Sequence, residues 1–251
     1  MEIKSYAKVN IFLKIVDKTP THHILASRFM KINSLFDTIY FKQKTSYKFE
    51  LYGDFDCDIT QNTIFKAYEE LIKIYPQAQH FFNEFSISVE KKIPQFGGLG
   101  GGSSNAAVLL RFVNDYLQLG ITISDLATIS KNIGADVPFF VYGYNSANVR
   151  GIGENVEEFI DEDLDLEIMT PNIKCNTKTV FEQFRDFHKI QQDSLTVDIF
   201  SKTSKQIILT SNPFWANDLL SPACEVYPEL GEFAQDGWFF SGSGSSFFRI
   251  K

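Results

Sequence analysis

The densest run of chemistry-bearing residues is Pro94-Gln95-Phe96-Gly97-Gly98-Leu99-Gly100-Gly101-Gly102-Ser103-Ser104-Asn105, set between a strand-like and a helix-like segment. Glycine lets the backbone take positive φ and approach a ligand closely, so successive N–H groups can converge on phosphate oxygens. A helix opening directly behind such a loop adds unpaired N–H groups and the positive end of its dipole. The combination describes a phosphate site built largely from neutral backbone. Two better-known glycine motifs do not fit. A P-loop needs a lysine where Ser103 follows Gly102, and a dinucleotide fingerprint starting at Gly98 needs a glycine at position 103. The plain alternative is a flexible Gly/Ser linker, but linkers seldom lie directly between a strand and an amphipathic helix.

Other polar residues could join this loop. Lys8 and Asn10, two apart in an alternating segment, project from one strand face, where the default reading is a solvated lysine and a surface amide. Ser103 and Ser104 fall in the N-cap region of the helix, so their hydroxyls either cap it, meet a phosphate or ligate Mg²⁺. Asp136 follows the helix stop Gly134 and precedes Val137-Pro138, the place of a turn or cap aspartate. Near the end, Ser241-Gly242-Ser243-Gly244-Ser245-Ser246 is either a plain hairpin turn or a second ligand loop.

The elements that position these residues are legible in outline. From Ile3 to Ile15 the odd positions are mostly apolar while the even ones carry Lys4, Lys8, Asn10 and Lys14, a period of two that predicts a strand with one buried face. Tyr47/Phe49/Leu51 and Phe85/Ile87/Val89 suggest two more strands. Asn62 caps a helix that Pro76 stops, a second helix runs from about Ser104 to Leu119, and a third starts at Ser124 and ends at Gly134. Past Gly153 the acidic stretch Glu154 to Glu167 marks the domain boundary. A strand at Leu166 to Met169, a helix at about Thr179 to Ile190, and strands at Trp238–Phe240 and Phe247–Ile250 follow.

Composition limits the class. With 251 residues, 44% of them hydrophobic, a sizeable core forms, in one large or two modest domains. Twenty-four Lys+Arg against 31 Asp+Glu leave a net charge of −7, the wrong sign for a broad nucleic-acid surface, so any anionic ligand is held locally. Cys57, Cys175 and Cys224 are scattered without a metal-ligand spacing, which reads as a reduced, cytosolic chain. No run of about 18 apolar residues occurs, and the charged N-terminus does not suit a secretory signal. The 25 Phe and 10 Tyr are assigned by default to the core.

Taken together, Lys8-x-Asn10, the glycine loop and Gly134-Ala135-Asp136-Val137-Pro138-Phe139-Phe140 resemble the galactokinase–homoserine kinase–mevalonate kinase–phosphomevalonate kinase (GHMP) superfamily. The enlarged loop Gly97-Gly98-Leu99-Gly100-Gly101-Gly102-Ser103-Ser104-Asn105-Ala106 and the opening Ser5 to Leu13 look like its branch that phosphorylates a CDP-linked methylerythritol in non-mevalonate isoprenoid synthesis. Ser241-Gly242-Ser243-Gly244 matches the late glycine motif, so the resemblance runs from residue 5 to Phe247.

The resemblance implies an α/β (α+β) two-domain fold with the active site in the inter-domain cleft, an ATP-binding catalytic domain over 1–153 and a substrate domain over 154–251. It implies that Asp136 is the general base and Lys8 its cationic partner, and that Pro94 to Ser104 bind ATP, with Mg²⁺ travelling with the nucleotide. Substrate contacts fall to Asn10, His22, His23, Phe181, Gly242 and Ser243. His23 keeps the histidine expected to bond cytosine, His22 replaces an aromatic expected to stack on it, and Phe181 is either the other stacking wall or core. The implied partners are small molecules, ATP and a CDP-linked polyol, with no nucleic acid and no membrane. One rival is a superfamily kinase acting on mevalonate, homoserine or a sugar, against which the triple-glycine loop argues. The other is a non-catalytic nucleotide-binding module, whose expected loss of Lys8 or Asp136 is not seen.

Overall fold

The computed structural model describes residues 1–190, 197–235 and 237–251. The chain forms two compact units, each assembled from segments that are not consecutive. Unit one comprises Met1–Ala7, Asn33–Ile93 and Gly100–Gly143; unit two comprises Lys8–Ile32, Pro94–Leu99 and Tyr144–Lys251. The 153/154 boundary read from the acidic stretch lies inside unit two.

Two long paired strands, β1 (Glu2–Lys18) and β2 (His23–Gln43), contribute one end to each unit. In unit one, β2 pairs antiparallel with β4 (Phe85–Glu90), from Thr38↔Glu90 to Gln43↔Phe85, and β3 (Leu51–Gly53) adds in parallel to β4. Its helices are α1 (Thr63–Ile74), α2 (Gln79–Glu84), α3 (Gly101–Tyr116), α4 (Ile123–Ser130) and α5 (Val137–Tyr142). α1 forms where expected: Asn62 accepts from Ile64 N, Ile64, Ala67 and Leu71 recur on one face, and the helix stops before Pro76. α4 is capped two residues earlier than expected, by Thr122, because a carboxylate stands three positions on, and Thr122 also donates to Asp125.

The core joins Ile39, Phe41, Ile87 and Val89 of the strands to Leu71, Leu109, Leu110, Val113, Leu126 and Val137 of the helices. Each fully buried side chain of this kind contributes roughly 1.5–3 kcal/mol. Much of the aromatic surplus is used here: Phe41 stacks on Phe112 at 4.4 Å, and Phe81 meets Phe41, Phe82, Phe85, Phe112 and Tyr116.

In unit two, the first half of β2 pairs antiparallel with β5 (Ser146–Gly151), and β5 with β6 (Asn155–Glu158). β7 (Leu166–Met169), β8 (Phe239–Phe240) and β9 (Phe247–Ile250) form a separate sheet in the order β7-β9-β8. Its helices are α6 (Thr177–Phe187), α7 (Ser204–Thr210), α8 (Pro213–Ala216) and α9 (Leu220–Val226). Leu13, Ile15, Val180, Phe184, Leu219, Leu220, Phe240 and Phe247 make its core.

One expectation is overturned. The face of β1 that carries Lys8, Asn10 and Lys14 is not open to solvent; all three are buried, at 2%, 2% and 1% exposure. Burying an ammonium requires partners. Lys14 has them, in an ion pair with Asp218 and a hydrogen bond to Trp215 O at 2.7 Å. The partners of Lys8 define the site.

Candidate functional site

The first half of the glycine loop belongs to unit two, where every carbonyl from Phe96 to Leu99 accepts a hydrogen bond. Ser245 N donates to Phe96 O (3.2 Å) and Ser246 N to Gly97 O (3.1 Å). Gly98 O takes Lys8 Nζ (3.0 Å) and Ser241 Oγ (3.2 Å), and Leu99 O takes Lys8 N (2.9 Å). The electron-rich edge of this segment is thus turned into the protein and away from an arriving anion.

Close backbone packing enforces that arrangement. Gly98 has φ +73°, and a Cβ there would lie 2.2 Å from Ser241 O; a Cβ on Gly244 would lie 2.0 Å from Gly98 N. The late glycine motif is therefore a clamp on the glycine loop rather than a plain hairpin turn. Gly242, at φ +63°, closes the same corner, where a Cβ would lie 3.2 Å from Gly98 O and 3.3 Å from Asn10 Oδ1. Lys8 Nζ donates to Asn10 Oδ1 at 2.6 Å and lies 4.6 Å from the Phe29 ring centroid. Both named acceptors, Asn10 Oδ1 and Gly98 O, are neutral.

The second half of the loop belongs to unit one. Gly100, with φ 70°, is the N-cap of α3, so the helix begins three residues earlier than read from sequence, and Ser103 and Ser104 sit in its first turn. Ser104 is buried, and its hydroxyl accepts from Ser5 Oγ (2.7 Å). Ser103 is half-buried, and its Oγ lies 3.8 Å from where a Cβ on Gly134 would stand, two residues before Asp136. Asp136 occupies the N-cap position of α5 without accepting a side-chain capping bond. Its carboxylate is thus not spent on holding the helix.

Sequence reading missed Asp37, which is fully buried on β2. It pairs with Lys91 and accepts from Lys92 N and Ile93 N (2.8 Å each) and from Asn105 Nδ2 (3.0 Å). One carboxylate therefore ties the entry of the glycine loop, at 91–93, to its exit at Asn105. Its only signal in sequence is a lone charge inside the apolar run Leu35-Phe36-Asp37-Thr38-Ile39.

A second cluster in unit two surrounds His23. Its ring is buried, 5.1 Å from the Phe181 ring and 5.8 Å, edge-on, from Phe184, and its Nε2 has no hydrogen-bond partner among the described residues. Burial, then the nearby charges of Arg185, Lys18 and His22, push its pKa below 6.5. The imidazole is therefore held neutral. Phe181 packs against the core, one of the two readings offered for it, and also faces His23. Its helix is fixed by Asn176, which accepts from Thr179 N, and by a bond from Ser243 Oγ to Thr177 Oγ (2.9 Å) that joins it to the late glycine motif. His22 lies exposed, bonded to Thr21 Oγ, and the ring cluster is made by His23, Phe181, Phe184 and His188.

Residues 62–144 match the GHMP kinases N terminal domain. The 4-diphosphocytidyl-2-C-methyl-D-erythritol kinase of Sulfurimonas denitrificans is 46% identical over 99% of this chain and 96% of its own length; that of Sulfurovum sp. is 44% identical over 99% and 98%. A crystal structure of 4-(cytidine 5'-diphospho)-2C-methyl-D-erythritol kinase, 28% identical, superposes with a TM-score of 0.76 over 100% of this chain and 90% of the other. Among the described residues, no helix is long and apolar enough to cross a membrane.

Proposed function

The chain belongs to the 4-diphosphocytidyl-2-C-methyl-D-erythritol kinase family of the GHMP kinases, and from that premise we propose that it transfers the γ-phosphoryl group of ATP to the 2-hydroxyl of 4-diphosphocytidyl-2-C-methyl-D-erythritol. The observation that carries the substrate assignment is His23: a buried, neutral imidazole nitrogen without a partner among the described residues, beside Phe181, in the unit that also holds Lys8. A buried polar atom left unpaired is costly, and a pyrimidine edge satisfies it while Phe181 offers a face for stacking.

In this reading the N–H edge of Gly97 to Gly102 and the start of α3 hold the ATP phosphates, with the loop's carbonyls already engaged by unit two. Asp136 takes the proton of the attacking hydroxyl, and Lys8 stabilises charge on the transferred group, which passes directly without a phosphoenzyme. Gly242 and Ser243 line the polyol end. The half-buried Ser103 hydroxyl would offer a hard oxygen donor to a Mg²⁺ ion bound with ATP, which would supply neutralisation of phosphate charge.

His23→Phe keeps the ring and removes the nitrogen. It is expected to weaken binding of cytidine diphosphate about tenfold, read by calorimetry. For the wild-type protein, affinity is expected to stay level from neutral pH upward and to fall only as pH drops through the lowered value of His23. A His23→Phe protein that bound cytidine diphosphate like the wild type would remove the cytosine assignment.

A further inference from the structure

Lys8, Asn10 and Phe12 lie on one face of β1, and Ser27 reaches that face from β2. Lys8 Nζ donates to Asn10 Oδ1 (2.6 Å), Asn10 Nδ2 donates to Ser27 Oγ (3.0 Å), and the Ser27 hydroxyl donates to Phe12 O. All four residues are buried, at 2% exposure or less. The chain has a donor-only ammonium at one end and an acceptor-only carbonyl at the other, so its proton order has one solution. The amide of Asn10 is oriented with its oxygen toward Lys8, and the Ser27 proton points to Phe12.

We propose that Ser27 is a positioning residue for phosphoryl transfer: it fixes the orientation of the Asn10 amide and, through it, the place of the Lys8 ammonium. Without the hydroxyl, Asn10 Nδ2 loses its acceptor in a buried place, and the amide, anchored at its oxygen alone, can rotate and carry the Lys8 contact with it. Gly242 holds the other side, because any side chain there would press on Asn10 Oδ1. Asn10, read from sequence as a donor to the substrate diol or to Asp136, then acts on Lys8, its amide N–H being given to Ser27. Ser27 touches neither substrate, so its loss changes the chemical step and not binding. The inference rests on the reading of Lys8 given above.

Steady-state kinetics of five variants with ATP and the cytidine diphosphate polyol test it. Ser27→Ala is expected to lower kcat about tenfold with KM for both substrates within about twofold, the pattern of an interaction made in the transition state. Ser27→Thr, which keeps the hydroxyl on a strand, is expected to restore kcat to within about twofold, and the isosteric weak donor Ser27→Cys to fall between. In a Lys8→Met background, Ser27→Ala is expected to cost nothing further, because the group it positions is gone. A wild-type kcat in Ser27→Ala alongside an impaired Lys8→Met overturns the proposal, as does an equal loss in both backgrounds, which marks a merely structural serine. A wild-type rate in Lys8→Met overturns the reading of Lys8 itself. If Ser27→Ala does not fold, the ordering of wild type, Thr and Cys decides, and equal kcat in all three overturns the proposal.

Discussion

Replacing Asp136 by asparagine is expected to lower kcat by about 10²- to 10⁴-fold, the usual contribution of a positioned general base. The isosteric amide keeps the shape of the side chain but cannot take a proton. Asp136 sits at the N-cap position of α5 with φ −86° and ψ −11°, a conformation asparagine adopts, and it makes no side-chain cap bond to that helix. Asparagine matches aspartate in size, so the variant is expected to fold with a thermal midpoint close to that of the wild type. The two readouts are turnover and the thermal midpoint. A variant that melts like the wild type and turns over at the wild-type rate removes the base assignment; one that melts well below it would show that the carboxylate is structural.

The second large effect is expected from Gly244→Ala. The added methyl would stand 2.0 Å from Gly98 N and 2.1 Å from Gly97 C, against backbone that no rotamer change can move. The loop or the 241–246 segment must shift by about 1 Å, a displacement that can cost about 10²-fold in rate when it misplaces reacting groups. Overpacking adds about 1–3 kcal/mol of destabilisation. The matched control is Gly231→Ala, where a methyl meets nothing within 4 Å and no change is expected. Measured kcat/KM for ATP and melting midpoints of the two variants would check this, and wild-type ATP kinetics in Gly244→Ala would end the clamp assignment.

Part of this site is legible in the amino-acid sequence alone. Phosphate loops need glycine for backbone reasons, so Gly97 to Gly102 stand out as composition, and caps such as Asn62 announce helices by local chemistry. β1 is legible by its period of two, but its second buried face is not, because Lys8 and Lys14 read as solvated until their partners from residues 98 and 218 are in place. β2 escapes altogether. Its first half is buried on both faces, including Ser27 and Arg28 at 0% exposure, so no alternation marks it. Asp37 and Ser27 are hidden for one shared reason. A polar residue outside any recurring spacing carries no motif, and its role emerges only when hydrogen bonds link it to Asn105 or Asn10 on other elements.

The account as a whole stands on the reaction itself. The purified protein, given MgATP and in turn 4-diphosphocytidyl-2-C-methyl-D-erythritol, mevalonate and homoserine, is expected to consume ATP only with the first. Phosphorus and carbon NMR of the product should show a new phosphomonoester on the tertiary 2-hydroxyl with the diphosphate linkage intact. Phosphorylation of mevalonate or homoserine in its place, or ATP binding with none of the three alcohols phosphorylated, would contradict it.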